Sequence, residues 1–381
     1  MIRIGIVGAG YWGSKHIRVF HDLETAELAL VCDLDTARLK AVARSYGGVR
    51  TTTDYRELLG EDVDAVVIAT SVDTHYTLAY QALMAGKHVL VEKPLTTEVS
   101  TAEELVDLAR ERGLVLMTGH TYQYHPVVDF LKDLLGKKEL GDLYYIDTAR
   151  LNLGAFRPDV DVLWDLAPHD ISILLYLLGQ DPLWVSAKAT AHVNPAQHEI
   201  SYVTLGFPNH VLAHVHVSWL DPCKVRRLTL VGSERMAMFD ELAPEGQLRL
   251  YDKGAYMGAE RQNGGYPEVH YRHGEVRVPF IPNKEPLTLE CADFVKSIAD
   301  GTSPRSNGSF ALRVISILEA AHRSLASDGN QIYLAPAADR PNVLEPRRPQ
   351  VSETFVKTPV LNGVANGHNG HSTTPLEKES L

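Results

Sequence analysis

The first 120 residues alternate short apolar runs with stretches of helical periodicity. Ile2–Val7 is mostly aliphatic, as expected of a strand buried on both faces. Tyr11–His21 reads as a helix, Glu27–Cys32 as the next strand ending at Asp33, and Thr36–Tyr46 as a helix stopped by Gly47 and Gly48. Asp64–Ala69 is a third strand. Thr74–Ala85 is a helix closed by Gly86, and His88–Val91 is a strand. Ser100 with Glu103 predicts a capping box opening a helix that stops at Gly113, before a strand over Leu114–Thr118. Strand–helix alternation at this spacing predicts an α/β Rossmann-type domain, a doubly wound parallel sheet with right-handed crossovers, over residues 1–122.

Beyond about residue 140 the texture changes. Leu143–Leu151, Leu183–Val193, Ile200–Phe207, Val211–Trp219, Arg226–Val231 and Gln247–Tyr251 are strand-like and follow one another. Helices are expected only over Leu163–Leu178, Leu289–Ala299 and Phe310–Ala326. Consecutive strands with segregated helices predict an α+β domain with a mainly antiparallel open sheet over residues 123–335. From Ala335 onward, 47 residues hold six of the 20 prolines and a low-complexity Asn/Gly/His stretch, so 336–381 is expected to be an extended, partly disordered tail. His368 and His371 then belong to a solvated tail rather than to a metal site.

Composition narrows the classes. The chain has 381 residues, 45% of them apolar and 22% charged, which is ordinary for a globular protein of two or three domains. With 37 basic against 48 acidic residues the net charge is −11, which disfavours nucleic acid as a partner. Cys32, Cys223 and Cys291 are odd in number and far apart, arguing for a reducing compartment and against a zinc site. The longest apolar candidate for a span, Ile171–Leu178, is far too short to cross a membrane, and no signal peptide is evident. A cytoplasmic protein without membrane contact is expected.

Gly8-Ala9-Gly10-Tyr11-Trp12-Gly13 fits G-x-G-x-x-G between a predicted strand and a predicted helix. Gly8 permits the tight turn, Gly10 lets backbone approach a pyrophosphate, and Gly13 lets helix and strand pack closely. The helix start, with Tyr11 and Trp12, offers free N–H groups and a positive dipole end to phosphate. Asp33 closes the second strand, where an acid accepts from the adenosine ribose hydroxyls. It would repel a 2′-phosphate, so NAD is favoured over NADP, with nearby Arg38 keeping NADP open.

Glu92-Lys93-Pro94 follows a strand end, where ligands of doubly wound sheets gather. A lysine there points at the nicotinamide crevice; a surface lysine in a loop is the alternative reading. The stretch Gly86–Pro94 (GKHVLVEKP) resembles the signature of the glucose–fructose oxidoreductase / inositol dehydrogenase / MocA (Gfo/Idh/MocA) family. Ala69–His75 resembles that family's ATPxxxH segment, with Ser71 and Val72 departing from it. Asp165–Asp170 (DLAPHD) is similar to its DxxxH element, with Ala167 in place of a common glycine. The resemblance covers roughly residues 1–330. It implies an NAD(P)-dependent enzyme acting on a sugar or cyclitol hydroxyl, with Thr70, His75, Glu92 and Lys93 on the cofactor side and a cis-proline turn at Lys93–Pro94 aiming the lysine.

The residues support this chemistry in their own right. Oxidising a secondary alcohol needs a base for the hydroxyl proton, which suits His169, and a cation for the developing charge, which suits Lys93. Asp165 would orient either one from the same helix face, four residues before His169. Pro168 is best tolerated in a first turn, so the helix is expected to begin near Asp165. That leaves an ordinary N-cap as the other reading of Asp165, and a first-turn acid as that of Asp170.

Tyr122, Tyr124 and His125 follow the last Rossmann strand and are candidates to line the sugar site. Arg150, Asn152 and Arg157 precede the DxxxH helix and suit a carboxylate or diphosphate. The stretch from Arg150 to Gly179 looks most like family members acting on nucleotide-linked sugars, which points to a dehydrogenase acting at C3. An inositol or free-sugar dehydrogenase is the alternative. A non-catalytic NAD(P)-binding regulator is a third reading, against which Lys93, Asp165 and His169 together argue. His214, His216 and Ser218 share a strand face with no third metal ligand in range, so a polar sheet face or subunit interface is expected there. The second sheet would then join a homodimer or homotetramer, and no metal is expected.

Overall fold

A computed structural model of the chain describes residues 1–154, 156–157, 159–258 and 268–334. The expected tail over 336–381, with His368 and His371, lies outside the described residues. The N-terminal part runs β1 (Ile2–Val7), α1 (Tyr11–Asp22), β2 (Ala26–Cys32), α2 (Thr36–Ser45), β3 (Arg50–Thr52), β4 (Ala65–Ile68), α3 (Val72–Met84), β5 (His88–Glu92), α4 (Val99–Glu111) and β6 (Leu116–Gly119). The six strands form a parallel sheet in the order β3-β2-β1-β4-β5-β6. Ile4, Ile6, Ala65–Ile68 and Val89–Val91 are fully buried, which is why these strands read as unbroken apolar runs rather than alternating ones. The order reverses at β1/β4, and this switch point places the glycine turn after β1 at the crevice.

Three local expectations are corrected. The Ser100–Glu103 capping box does not form: α4 starts at Val99 with Glu98 as its N-cap, and no side chain caps it. α3 begins at Val72, two residues before the position expected, because Ser71 in extended conformation can precede a helical Val72. Strand β3 escaped the pattern because it is a three-residue polar edge.

The chain then turns through a 3-10 segment, Thr121–Tyr124, into α5 (Pro126–Gly136), an amphipathic helix not expected from the sequence. Proline at its first position costs no hydrogen bond, and His125 Nδ1 accepts from the Val127 N–H (3.2 Å) as its cap. There follow β7 (Leu143–Leu151), α6 (Val162–Leu178), β8 (Trp184–Thr190), β9 (Ile200–Gly206), β10 (Leu212–Ser218), β11 (Val225–Gly232), β12 (Met236–Asp240), β13 (Leu248–Met257), β14 (Val269–Arg277), α7 (Pro286–Asp300), α8 (Gly308–Ala326) and β15 (Ile332–Tyr333). The second sheet is mixed, in the order β14-β13-β12-β11-β7-β10-β9-β8-β15. Its pairings are antiparallel except β7 with β10. β14 was missed because all but one of its nine residues are exposed and carry no alternation.

Helix α6 lies on this sheet and brings its residues to the Rossmann strand ends. It begins at Val162, capped by Asp161, whose side chain accepts from the Trp164 N–H (3.1 Å). The expectation that it starts near Asp165 is therefore corrected. Pro168 sits in the helix interior, at a cost of about 3 kcal/mol in an isolated helix. Thirteen of the helix's 17 residues are buried, and that apolar packing offsets the cost. Asp165 is not the cap, and Asp170 is not a first-turn acid but a buried partner of Arg150.

Candidate active site

The glycine turn is shaped by close approach. Gly8 has φ +92°, and a Cβ there would stand 2.4 Å from the Ala69 carbonyl oxygen. A Cβ on Gly13 would stand 1.8 Å from the Gly8 carbonyl oxygen. A Cβ on Gly10 would meet only Arg38 Nη1, at 3.7 Å, so that face of the backbone is open to an approaching group. Gly10 is the N-cap of α1 and no side chain occupies its cap position, which leaves the first N–H groups available. Asp33 Oδ2 accepts from the Ala9 N–H (2.6 Å) and Oδ1 from the Asp35 N–H (2.7 Å), while Arg38 Nη1 stands 3.5 Å away. Tyr11 is exposed, and Lys15 Nζ lies over the rings of both Tyr11 and Trp12 at 4.3 and 4.4 Å. This cradle fits a dinucleotide pyrophosphate and ribose.

The lysine reaches across the junction between the two sheets. Lys93 Nζ donates to the Asp165 carbonyl (2.6 Å) and to Asp165 Oδ1 (3.2 Å), and it is only 7% exposed. Asp165 Oδ2 also accepts from Trp219 Nε1–H (3.2 Å), and Arg157 Nη1 stands 3.4 Å from Oδ1. An ammonium has three N–H donors, so one remains for a substrate oxygen. The Lys93–Pro94 peptide is cis.

One turn after Asp165, His169 lines a crevice of about 230 Å³ together with Trp12, Glu92, Tyr122, His125 and Glu241. Its Nδ1 is buried without a hydrogen-bond partner, and its ring meets Tyr122 edge-on at 5.0 Å. Burial, and then the positive charges of Lys93 and Arg150, push the imidazole well below the usual histidine range. It is therefore the neutral, proton-accepting form at neutral pH. A larger cavity of about 540 Å³ opens beyond His125, bounded by Gln247 and Phe280, and none of Lys93, Asp165 or His169 lines it.

Several expected site residues already have partners within the protein. Tyr124 is buried: its hydroxyl donates to Asp293 Oδ2 (2.8 Å) and Arg305 covers its ring, so it ties the 3-10 segment to α7 rather than lining the crevice. Arg150 is bidentate to Asp170 (2.8 and 3.1 Å), 4% exposed and stacked over Tyr122 at 4.3 Å, so its fork is already filled. His75 is sealed below the surface, with Nδ1 2.8 Å from the Pro94 carbonyl and Nε2 3.3 Å from that of Thr70. It holds the Lys93–Pro94 turn and has no free atom for a ligand. Thr70 pairs with the Thr74 hydroxyl (2.7 Å). Arg157 also binds Asp159, and Asn152 Oδ1 accepts from Arg226 (3.4 Å). His214 pairs with Asp147 (3.1 Å), Tyr202 stacks on both His214 and His216, and no metal-binding cluster occurs among the described residues.

Three neighbours carried no sequence signal that was read. Glu241 receives the Tyr122 hydroxyl (3.4 Å) just past β12, a strand the pattern did not reveal. Trp219 holds Asp165, as noted above. Arg226 faces Arg150 across the β7–β11 register and hydrogen-bonds only to the Leu151 and Val225 carbonyls and to Asn152. It forms no ion pair among the described residues.

Fold and site together define an oxidoreductase built on an NAD-binding Rossmann domain. The family model for oxidoreductases with an NAD-binding Rossmann fold matches residues 2–120, and the GFO/IDH/MocA C-terminal domain matches residues 128–238. The chain belongs to the Gfo/Idh/MocA oxidoreductase family. It is 31% identical over 330 residues to the UDP-N-acetylglucosamine 3-dehydrogenase of Acidithiobacillus ferrooxidans, covering 84% of this chain and 98% of that one. The solved structure of that enzyme matches with a TM-score of 0.70 at 27% identity, over 86% of this chain and 98% of its own. The inositol 2-dehydrogenase of Rhizobium meliloti is 24% identical over 88% of this chain and 99% of its own. GenD2 from gentamicin A biosynthesis, solved in complex with NAD, matches with a TM-score of 0.73 at 25% identity, over 88% and 96%. The protein is a dehydrogenase acting on CH–OH groups. No helix among the described residues is long and apolar enough to cross a membrane.

Proposed function

We propose that the protein oxidises, or in reverse forms, a ring hydroxyl of a nucleotide-linked sugar at C3, with NAD as the hydride partner. Residues 1–122 hold the cofactor in this reading and residues 123–335 the sugar. The observation that carries it is the contact of Lys93 with Asp165 across the sheet junction, with His169 one turn on. The nicotinamide supplies the hydride acceptor. His169, kept neutral, takes the hydroxyl proton. Lys93 gives its remaining N–H to the same oxygen and stabilises the charge developing there. Asp165, itself held by Trp219, fixes the direction of Lys93.

Arg226 supports an anionic substrate over inositol. A half-buried guanidinium that forms no ion pair among the described residues, with Glu241 and Asp170 acting on it only from a distance, is suited to a diphosphate. Inositol and free sugars remain the competing substrates. Comparing initial rates with nucleotide-linked sugars, inositols and free sugars tests the choice. A rate confined to inositols or free sugars would overturn the nucleotide-linked reading. Assembly as a homodimer or homotetramer through the open face of the second sheet is part of the same proposal, since Tyr145, Tyr202 and Leu212 share that face and are exposed.

The cofactor preference rests on Asp33. Asp33→Ala is expected to weaken NAD by roughly tenfold or more, the scale of a hydrogen bond to a charged group, and NADP far less. Titration of both nucleotides checks this; NADP bound more tightly than NAD by the unaltered protein would shift the assignment to Arg38.

The state of His169 sets the acid limb of the pH profile. Lowering a histidine's pKa extends its basic form to lower pH. The fall in kcat/KM on acidification should therefore centre below about 6.5, the ordinary histidine value. A limb centred at or above that value would exclude His169 as the base.

A further inference from the structure

Glu92 is the buried acid next to the candidate lysine, and its surroundings are unusually specific. Its Oε1 lies 2.8 Å from His16 Nε2, and its Oε2 accepts from the Lys93 backbone N–H (3.2 Å). His16 Nδ1 in turn lies 3.6 Å from Cys291 Sγ. All three side chains are buried, His16 and Cys291 completely and Glu92 to 7% exposure, and they join α1, β5 and α7. Glu92 also lines the crevice with His169 and Trp12.

The protons in this line can be placed. Burial, then the charges of Glu290 and Glu92, raise the Cys291 thiol well above its usual value, so it is an S–H donor. Burial alone would raise Glu92, but the hydrogen bond and electrostatic interaction with His16, and then the charge of Lys93, outweigh it and leave its carboxyl below the ordinary value. Glu92 is thus an acceptor only. Cys291 S–H donates to His16 Nδ1, and His16 Nε2–H donates to Glu92.

The nearby acid behaves in the opposite way. Glu290 is fully buried, takes one hydrogen bond from Thr121 Oγ1 (2.9 Å) and has Oε1 unpaired. Burial and the charge of Glu92 push it well above the carboxylate range, so it stays protonated. His120, at the end of β6, is pushed down to about 3 by burial and adds no positive charge. Of these two buried carboxyls, Glu92 carries the charge, with Lys93 and Lys15 as the neighbouring cations.

We propose that Cys291 and His16 hold Glu92 as a fixed carboxylate at the crevice, so that the site binds oxidised nicotinamide in preference to reduced. The oxidised ring carries a positive charge that hydride gain removes. A fixed buried carboxylate attracts only the charged form, and it does so strongly where water is excluded. Glu92 sets this preference, and His16 is a positioning residue acting through it. The inference rests on nicotinamide binding and on no particular substrate.

The test is equilibrium titration of the full chain with NAD⁺, NADH, NADP⁺ and NADPH. Glu92→Gln keeps the shape and one acceptor oxygen, enough for the His16 N–H, while removing the charge; its amide NH2 cannot accept from the Lys93 N–H. It should weaken both oxidised nucleotides on the order of tenfold and leave both reduced ones within about twofold. His16→Asn should act in the same direction with a smaller loss. Cys291→Ser, which keeps a donor, should leave the oxidised-to-reduced ratio nearer that of the unaltered protein than Cys291→Ala does. The oxidised forms of NAD and NADP should move in parallel, because Asp33 rather than Glu92 meets the adenosine end. A wrong cofactor choice would thus appear in the NAD-to-NADP ratio alone. Equal losses for oxidised and reduced forms would assign these residues to packing and overturn the proposal, as would an unchanged ratio in Glu92→Gln. Should His16→Asn fail to fold, the near-isosteric Glu92→Gln still decides the question.

Discussion

Replacing Lys93 by Met or His169 by Asn is expected to lower kcat by roughly 10²–10⁴-fold, the range for loss of a positioned acid or base. Lys93→Met removes the cation and keeps much of the bulk; it also leaves the half-buried Asp165 beside Trp219 with Arg157 as its one remaining ion-pair partner among the described residues. His169→Asn removes the only imidazole that combines a place in the crevice with the DxxxH helix, and keeps a polar side chain. Cofactor affinity should hardly change in His169→Asn, because the residue comes from α6 and not from the Rossmann strands. The double variant should cost less than the product of the singles, since both groups serve one oxygen. Steady-state turnover on a confirmed substrate, alongside nucleotide titration, checks all three statements. Near-normal kcat in either single variant would remove that residue from the chemistry.

The glycine turn carries the second large effect. Gly13→Ala would drive a methyl to 1.8 Å from the Gly8 carbonyl oxygen, and that neighbour is backbone and cannot swing away. Separating α1 from β1 to relieve the overlap should cost about 3 kcal/mol or more, within the range of severe overpacking. Tm should fall by about 5–10 °C, and nucleotide binding should be lost with the geometry of the cradle. Gly10→Ala makes the contrast, since its Cβ meets nothing closer than Arg38 at 3.7 Å. It should leave Tm nearly unchanged and still weaken the nucleotide, because the methyl occupies the space the pyrophosphate needs. Thermal denaturation and titration of the two variants separate packing from ligand approach. Equal effects of both substitutions on stability would contradict this division of roles.

The Rossmann half was legible because its physics is local. Strands buried on both faces are apolar runs, and Gly8, Gly13 and Asp33 answer to a turn, a close contact and a strand end respectively. The second half was legible less evenly. Its central strands alternate and were visible, whereas β14 is exposed on both faces and β15 is two residues long. Helix α5 was hidden by Pro126, which looks like a breaker until it is placed at the first helical position. Pro168 misled in the opposite sense: tertiary burial of α6 overrode the local preference, and the helix runs through it.

The site shows the same division. Lys93, Asp165 and His169 were picked out by their resemblance to the family's motifs, with residue type and spacing in support, and the meeting of Lys93 with Asp165 is a fact of the fold. Arg150 and Tyr124 had the right chemistry for a substrate contact, but no sequence pattern reveals that Asp170 and Asp293 already occupy them. The converse holds for His16, Glu241 and Trp219, whose partners are 54 to 119 residues away in sequence. Such pairings exist only once β5, α6 and β12 have been brought to one crevice.

The central claim is that the lysine and histidine act on one sugar oxygen while the nicotinamide takes the hydride from its carbon. A single-turnover experiment tests it most directly: enzyme and NAD in stoichiometric amounts, mixed with nucleotide-linked sugars, with nicotinamide absorbance followed over time. The account predicts formation of reduced nicotinamide with such a sugar, slowed roughly 10²–10⁴-fold in both Lys93→Met and His169→Asn at saturating cofactor. Reduction that proceeds unslowed in both variants, or a failure of every nucleotide-linked, free and cyclitol substrate to reduce either NAD or NADP, would contradict it.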